Sequence, residues 1–148
     1  MIKLPDIRQQ SDHDCGLTVA RVLLRFLGRR PTAKQLSGLA CDPVDGTDPR
    51  NMETFLRQIG LRVQAGSFTV ENLDWLTSSG RPVVCLTTPA HGIGHYVVVA
   101  GIEGQTIHYQ CPTEGPARSG LRSWLKGWRE VDRLGATYHQ WGISAWKA

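Results

Sequence analysis

The apolar pattern of this chain changes period once, near Gly80, and that change restricts the fold more than any other feature of the sequence. From Gly16 to Leu27 the residues Leu17, Val19, Val22, Leu23, Phe26 and Leu27 recur at helical spacing, and Gly28 supplies a stop. Thr32 to Leu39 follows Pro31, and Asn51 to Ile59 follows Asp48 and Pro49, the second with a capping acid and a proline in the first turn. Cys41 to Thr47 is turn chemistry. Leu61, Val63 and Ala65 alternate as a short strand, and Val70 to Ser78 predicts a further helix. Beyond Gly80 the segments Pro82 to Thr87, His95 to Ile102, Thr106 to Cys111 and Thr137 to Trp146 are rich in Val, Ile, Tyr and Trp and read as strands. Glu103-Gly104-Gln105 marks a hairpin, and Leu121 to Val131 predicts a short helix with Trp124 and Trp128 on one face. Helices first and strands later predict an α+β fold, N-terminal helices packed on a C-terminal antiparallel β-sheet.

With 148 residues the expected organisation is a single domain over 1–148. No apolar run approaches the roughly 20 residues that span a bilayer, so no membrane insertion is expected. The opening MIKLPDIRQQSD puts charges where a secretory signal needs an apolar stretch, which leads to a cytoplasmic expectation. The net charge of +4 is carried mainly by scattered arginines without interleaved aromatics, which argues against nucleic acid as a partner. Arg21, Arg25 and Arg29 line up along the first helix as a solvated face. Trp124, Trp128, Trp141 and Trp146 are expected to pack core and rim. The cysteines Cys15, Cys41, Cys85 and Cys111 include no close pair and read as thiols in a reducing compartment.

Asp14-Cys15-Gly16 immediately precedes the longest helix, whose positive dipole end favours a thiolate. Cys15 is placed like a nucleophile, against the alternative of a buried cysteine that serves as a small hydrophobe. A thiol nucleophile needs a base, and the chain offers His13, His91, His95, His108 and His139. His95 has the best setting: it follows Gly92-Ile93-Gly94 and opens the apolar strand Tyr96 to Ala100. His91 stands four residues before His95, but the intervening glycines argue against a shared helical face. Asp14 fits best as a structural acid at the helix start.

Taken together, RQQSDHDCGLTVARVLLRFLG (Arg8 to Gly28) and GHYVVVAGI (Gly94 to Ile102) resemble the bacteriocin-processing double-glycine peptidase family, which has a papain-like cysteine peptidase fold. The resemblance extends over nearly the whole chain, through Gly46-Thr47 before a helix and a trailing strand with an aromatic-Gly-Ile element. It implies Cys15 as nucleophile, His95 as general base and Gln9 as oxyanion donor, with Gln10 a rival one position away. No cofactor or metal is implied. It further implies a peptide or protein substrate, such as a leader peptide cleaved after Gly-Gly, and a membrane transporter as partner. One departure stands out: the family carries Asp-Pro on the strand after the histidine strand, and this chain has Cys111-Pro112. Gln110 or Glu114 is then a candidate to orient the imidazole; Cys111 is a poorer substitute and a candidate for redox chemistry or for a metal site with Cys15 and His95. Three functions stay open: a peptidase, a catalytically weak relative that binds peptides, and an acyl-transfer enzyme using the same thioester.

Overall fold

The computed structural model describes residues 1–10, 15–39, 47–88, 95–131, 135 and 137–147. Among the described residues the helices are α1 (Cys15–Phe26), α2 (Ala33–Leu36), α3 (Pro49–Gln58), α4 (Val70–Ser78) and α5 (Leu121–Lys126), and they accompany the strands. Those are β1 (Leu61–Ser67), β2 (Val83–Thr87), β3 (His95–Glu103), β4 (Thr106–Cys111), β5 (Gly115–Gly120), β6 (Arg129–Val131), β7 (Thr137–His139) and β8 (Trp141–Lys147). The arrangement is α+β, with helices packed on a six-stranded sheet in the order β1-β8-β2-β3-β4-β5, every pair antiparallel.

Both faces of the sheet are covered, which is why its central strands read as unbroken apolar runs. Along β3, Tyr96 and Val98 join the cluster formed with α1 and α3, while Val97 and Val99 join the one formed with α4 and α5. On β2, Val84 and Leu86 face the first cluster and Val83 and Cys85 the second. Each such side chain, fully buried, contributes about 1.5–3 kcal/mol. Helix α1 supplies Val19, Val22, Leu23 and Leu24 to the first cluster. The capping signals are realised: the Asp48 carboxylate accepts the Arg50 N–H at 2.8 Å with Pro49 opening α3. Thr32 and Thr69 form capping boxes with Gln35 and Asn72.

The structure departs from the sequence expectations mainly in the second half. Gly115–Gly120, with its Gly and Pro, forms edge strand β5, because an edge tolerates a proline that a central strand does not. The helix expected over Leu121 to Val131 stops at Lys126, and Gly127 turns the chain into β6. Trp128 therefore leaves the helix, yet its ring stays 5.1 Å from that of Trp124, and its Nε1–H donates to the Trp141 carbonyl at 2.9 Å. The single strand expected over Thr137 to Trp146 is broken at Gln140, whose positive φ of 50° separates β7 from β8. The helix expected from Thr32 is one turn long. Trp146 lies beneath the Arg81 guanidinium, 4.6 Å from the ring centre. Among the described residues no helix is long and apolar enough to cross a membrane.

Candidate active site

Cys15 is the first residue of α1, His95 the first of β3 and Cys111 the last of β4. Helix α1 packs on β3, and β3 pairs antiparallel with β4, so these three chain positions converge at one end of the sheet. Close approach of the first turn of α1 depends on Gly16, where a β-carbon would meet Thr47 Cβ at 2.5 Å. The Thr47 carbonyl in turn accepts the buried Tyr96 hydroxyl at 2.6 Å. Tyr96 and Gly16 are the chain neighbours of His95 and Cys15, so a continuous packed path fixes the nucleophile candidate relative to the base candidate. The Thr87 hydroxyl donates to the His95 carbonyl at 3.0 Å and holds the strand end from the other side.

The imidazole of His95 lies between two sulfurs. Its Nε2 is 3.4 Å from Cys111 Sγ, and it is also hydrogen-bonded to Cys15. Burial pulls the imidazole pKa down, but the bonds and charges of Cys111 and Cys15 together outweigh it and carry the value up to about 9. For Cys111, burial pushes the thiol up. The bond to His95, the Thr113 hydroxyl at 3.2 Å and the backbone N–H groups of Glu114 and Thr113 outweigh it and bring the thiol down to about 7. Between about pH 7 and 9 the pair is therefore an imidazolium and a thiolate. Cys85 is a contrast: enclosed in the second apolar cluster, its thiol is pushed well above its ordinary range by burial.

Gln9 is anchored to the same corner, since its backbone N–H donates to the Pro112 carbonyl at 2.7 Å. Its side-chain Oε1 is buried, whereas Gln10 is exposed. The approach of this segment is fixed by Asp6, whose Oδ1 accepts Gln110 Nε2–H at 2.8 Å and Arg8 Nε–H at 3.2 Å. The Arg8 guanidinium in turn leans over Gly115, at φ +81°, where a β-carbon would come within 2.9 Å of Arg8 Cζ.

Of the residues considered for orienting the imidazole, Gln110 spends its amide on Asp6, and Glu114 is exposed and offers its backbone N–H to the Cys111 sulfur. Cys111 is the one brought to the ring. His108 pairs with Glu103 at 3.2 Å, and His139 is exposed on β7. His13, Asp14, Cys41, Gly46, His91 and Gly92-Ile93-Gly94 lie outside the described residues. Cys15, Cys85 and Cys111 are free thiols. Among the described residues no three His, Cys, Asp or Glu side chains converge as a metal site, so the alternative of a metal at Cys15, His95 and Cys111 has no geometric support. Asp6, Thr47, Tyr96 and Thr113 were not read from the sequence as site residues. Thr47 reads as the end of a turn and Tyr96 as the start of an apolar strand, whereas Asp6 and Thr113 carry no reading.

Comparison with known proteins bears on the family and the fold. The profile of the peptidase C39 family matches residues 3–132. A lactococcin-G-processing and transport ATP-binding protein from Lactococcus lactis subsp. lactis is 25% identical over 126 residues, 84% of this chain; the chain spans only 18% of that relative's length. Among solved structures, the peptidase domain of Streptococcus ComA, a bi-functional ABC transporter involved in quorum sensing, superposes with a TM-score of 0.76 at 16% identity, covering 100% of both chains. A double glycine motif protease from an AMS/PCAT transporter, solved in complex with the leader peptide, gives 0.74 at 16% identity over 99% of this chain and 93% of its own. These two likenesses show the papain-like fold.

Proposed function

Because the chain belongs to the peptidase C39 family, we propose that it is a cysteine peptidase that cleaves a leader peptide after a Gly-Gly pair. In this reading Cys15 gives its thiol proton to the His95–Cys111 pair as its sulfur attacks the scissile carbonyl carbon. The oxyanion is held by the Gln9 side-chain amide and the Cys15 backbone N–H. Collapse breaks the C–N bond and leaves a thioester on Cys15, while His95 gives a proton to the departing amine. Water then attacks the thioester, His95 takes its proton, and the acid leaves with the thiol restored. The chain acts as a single peptidase domain on the cytoplasmic side, next to a membrane transporter that exports the trimmed peptide.

The observation that carries this reading is the His95 imidazole hydrogen-bonded to Cys15 at the head of α1. The fold supports it, since the double glycine motif protease that it resembles was solved with a leader peptide bound. The test is mass-spectrometric product analysis on a peptide set that includes leaders ending in Gly-Gly, with and without an added amine. Free acid products that vanish in Cys15→Ala and His95→Ala support a peptidase. Amide products formed with the added amine would assign acyl transfer, and binding without any product would assign a peptide-binding relative.

A further inference from the structure

We infer that Cys111, as a thiolate, is the positioning residue of this site and takes the part of the carboxylate that orients the His95 imidazole. The inference rests on the peptidase reading above and deepens it. Four observations carry it. Cys111 Sγ is 3.4 Å from His95 Nε2, within range of an N–H···S bond, and the ring's other hydrogen-bond partner is Cys15. The sulfur receives the Thr113 hydroxyl at 3.2 Å together with the backbone N–H groups of Thr113 and Glu114. A sulfur surrounded by donors is solvated as an anion; a buried cysteine that merely packs is set like Cys85, which lies in the second apolar cluster and bonds to the Val83 carbonyl at 3.8 Å. The other nearby polar groups are committed elsewhere, Gln110 to Asp6 and the Glu114 carboxylate to the exposed surface.

A thiolate does the work of a carboxylate here in two respects. It fixes the ring by accepting the Nε2–H, and its negative charge stabilises the imidazolium that is hydrogen-bonded to Cys15. It differs in when it is charged. A carboxylate stays ionised far below neutrality, but Cys111 is protonated as pH falls through about 7, so the enzyme acquires an acid limit that an aspartate would not impose.

The experiment compares wild type with Cys111→Ala, Cys111→Ser and Cys111→Asp by two readouts. The first is the ¹⁵N NMR titration of the His95 ring, which needs no substrate. The second is the pH profile of kcat/KM on a Gly-Gly leader peptide. The expected result is a fall of the His95 titration midpoint by about one unit or more in the Ala and Ser variants and its recovery in Cys111→Asp. Activity is expected to drop on the order of 100-fold in Ala and Ser. In Cys111→Asp it returns, with an acid limb about three units lower than that of wild type. An unchanged His95 titration in the Ser variant, or an acid limb that stays in place in Cys111→Asp, overturns the proposal. Should Cys111→Ala fail to fold, the near-isosteric Ser variant carries the same comparison. Absence of cleavage by the wild type strikes the peptidase reading alone, because the ring titration still reports whether Cys111 holds His95.

Discussion

Gln110 and Asp6, 104 residues apart in sequence, are joined by a 2.8 Å hydrogen bond from the buried amide to the carboxylate. The bond ties the end of β4, which carries Cys111, to the segment that carries Gln9. Asp6→Ala is therefore expected to lower kcat by roughly tenfold with little change in KM, since a slightly displaced oxyanion donor costs transition-state binding. The Asp6 carboxyl is held below its ordinary value of 3.8 first by the Arg8 hydrogen bond and then by that of Gln110. A lowered carboxyl contributes above its unfolded value and is lost as pH falls through the native one, so this tie persists at all pH values above about 4. Steady-state kinetics on Asp6→Ala check it; an unchanged kcat would refute the coupling.

Gln9 and Gln10 stand one residue apart and were equal candidates by type. The structure separates them by exposure, the Gln9 Oε1 being buried and Gln10 facing outward. Gln9→Ala is expected to lose on the order of 100-fold to 1000-fold in kcat, as for the loss of an oxyanion donor, and Gln10→Ala less than about twofold. Single-turnover kinetics with saturating enzyme separate the two; the reverse order would move the oxyanion role to Gln10.

Gly16 is the point where α1 meets the residue that Tyr96 holds. In Gly16→Ala the new methyl group would overlap Thr47, whose Cβ lies 2.5 Å from it, so one of the two must move. The expected cost is about 1–3 kcal/mol in urea unfolding, accompanied by reduced cleavage as Cys15 shifts away from His95. Thr47→Gly removes the opposing atoms, and the double variant is expected to recover most of the difference. Additive losses in this cycle would show that the two residues do not meet.

Much of the fold was legible because its cause is local. The stripe from Leu17 to Leu27, the Asp48-Pro49 cap and the unbroken apolar run of Tyr96 to Val99 each state their element within a few residues. Where the cause is distant, the sequence was silent. The strand Gly115–Gly120 looks like a turn until β4 is beside it, and the break at Gln140 follows from its N–H bond to the Trp128 carbonyl. The site divides in the same way. Cys15, His95 and Gln9 could be named because their neighbours match a family pattern, and the missing aspartate could be noticed. Cys111 stood there only as the poorer of three alternatives beside Gln110 and Glu114, because a thiol is an ordinary core residue in sequence. Its donors, the Thr113 hydroxyl and two backbone N–H groups, exist only once the turn after β4 has formed.

The imidazolium–thiolate pair makes a specific prediction for stability against pH. His95 is raised to about 9 from 6.5, so its contribution is complete below 6.5 and is lost as pH rises through about 9. Cys111 is lowered to about 7 from 9.0, so its contribution is present above 9.0 and is lost as pH falls through about 7. Between about 7 and 9 the native pair holds one proton, on the ring, and the unfolded pair also holds one, on the sulfur; the two slopes cancel. Wild type is thus expected to show no pH trend from this pair across that window. In Cys111→Asp the carboxylate is ionised in both states, and only the ring term survives. Unfolding free energy should then fall as pH rises from 6.5 toward 9, by at most about 1.4 kcal/mol per pH unit. Urea midpoints measured at half-unit steps for both proteins decide it, since parallel curves would mean that Cys111 and His95 do not share a proton in the native state.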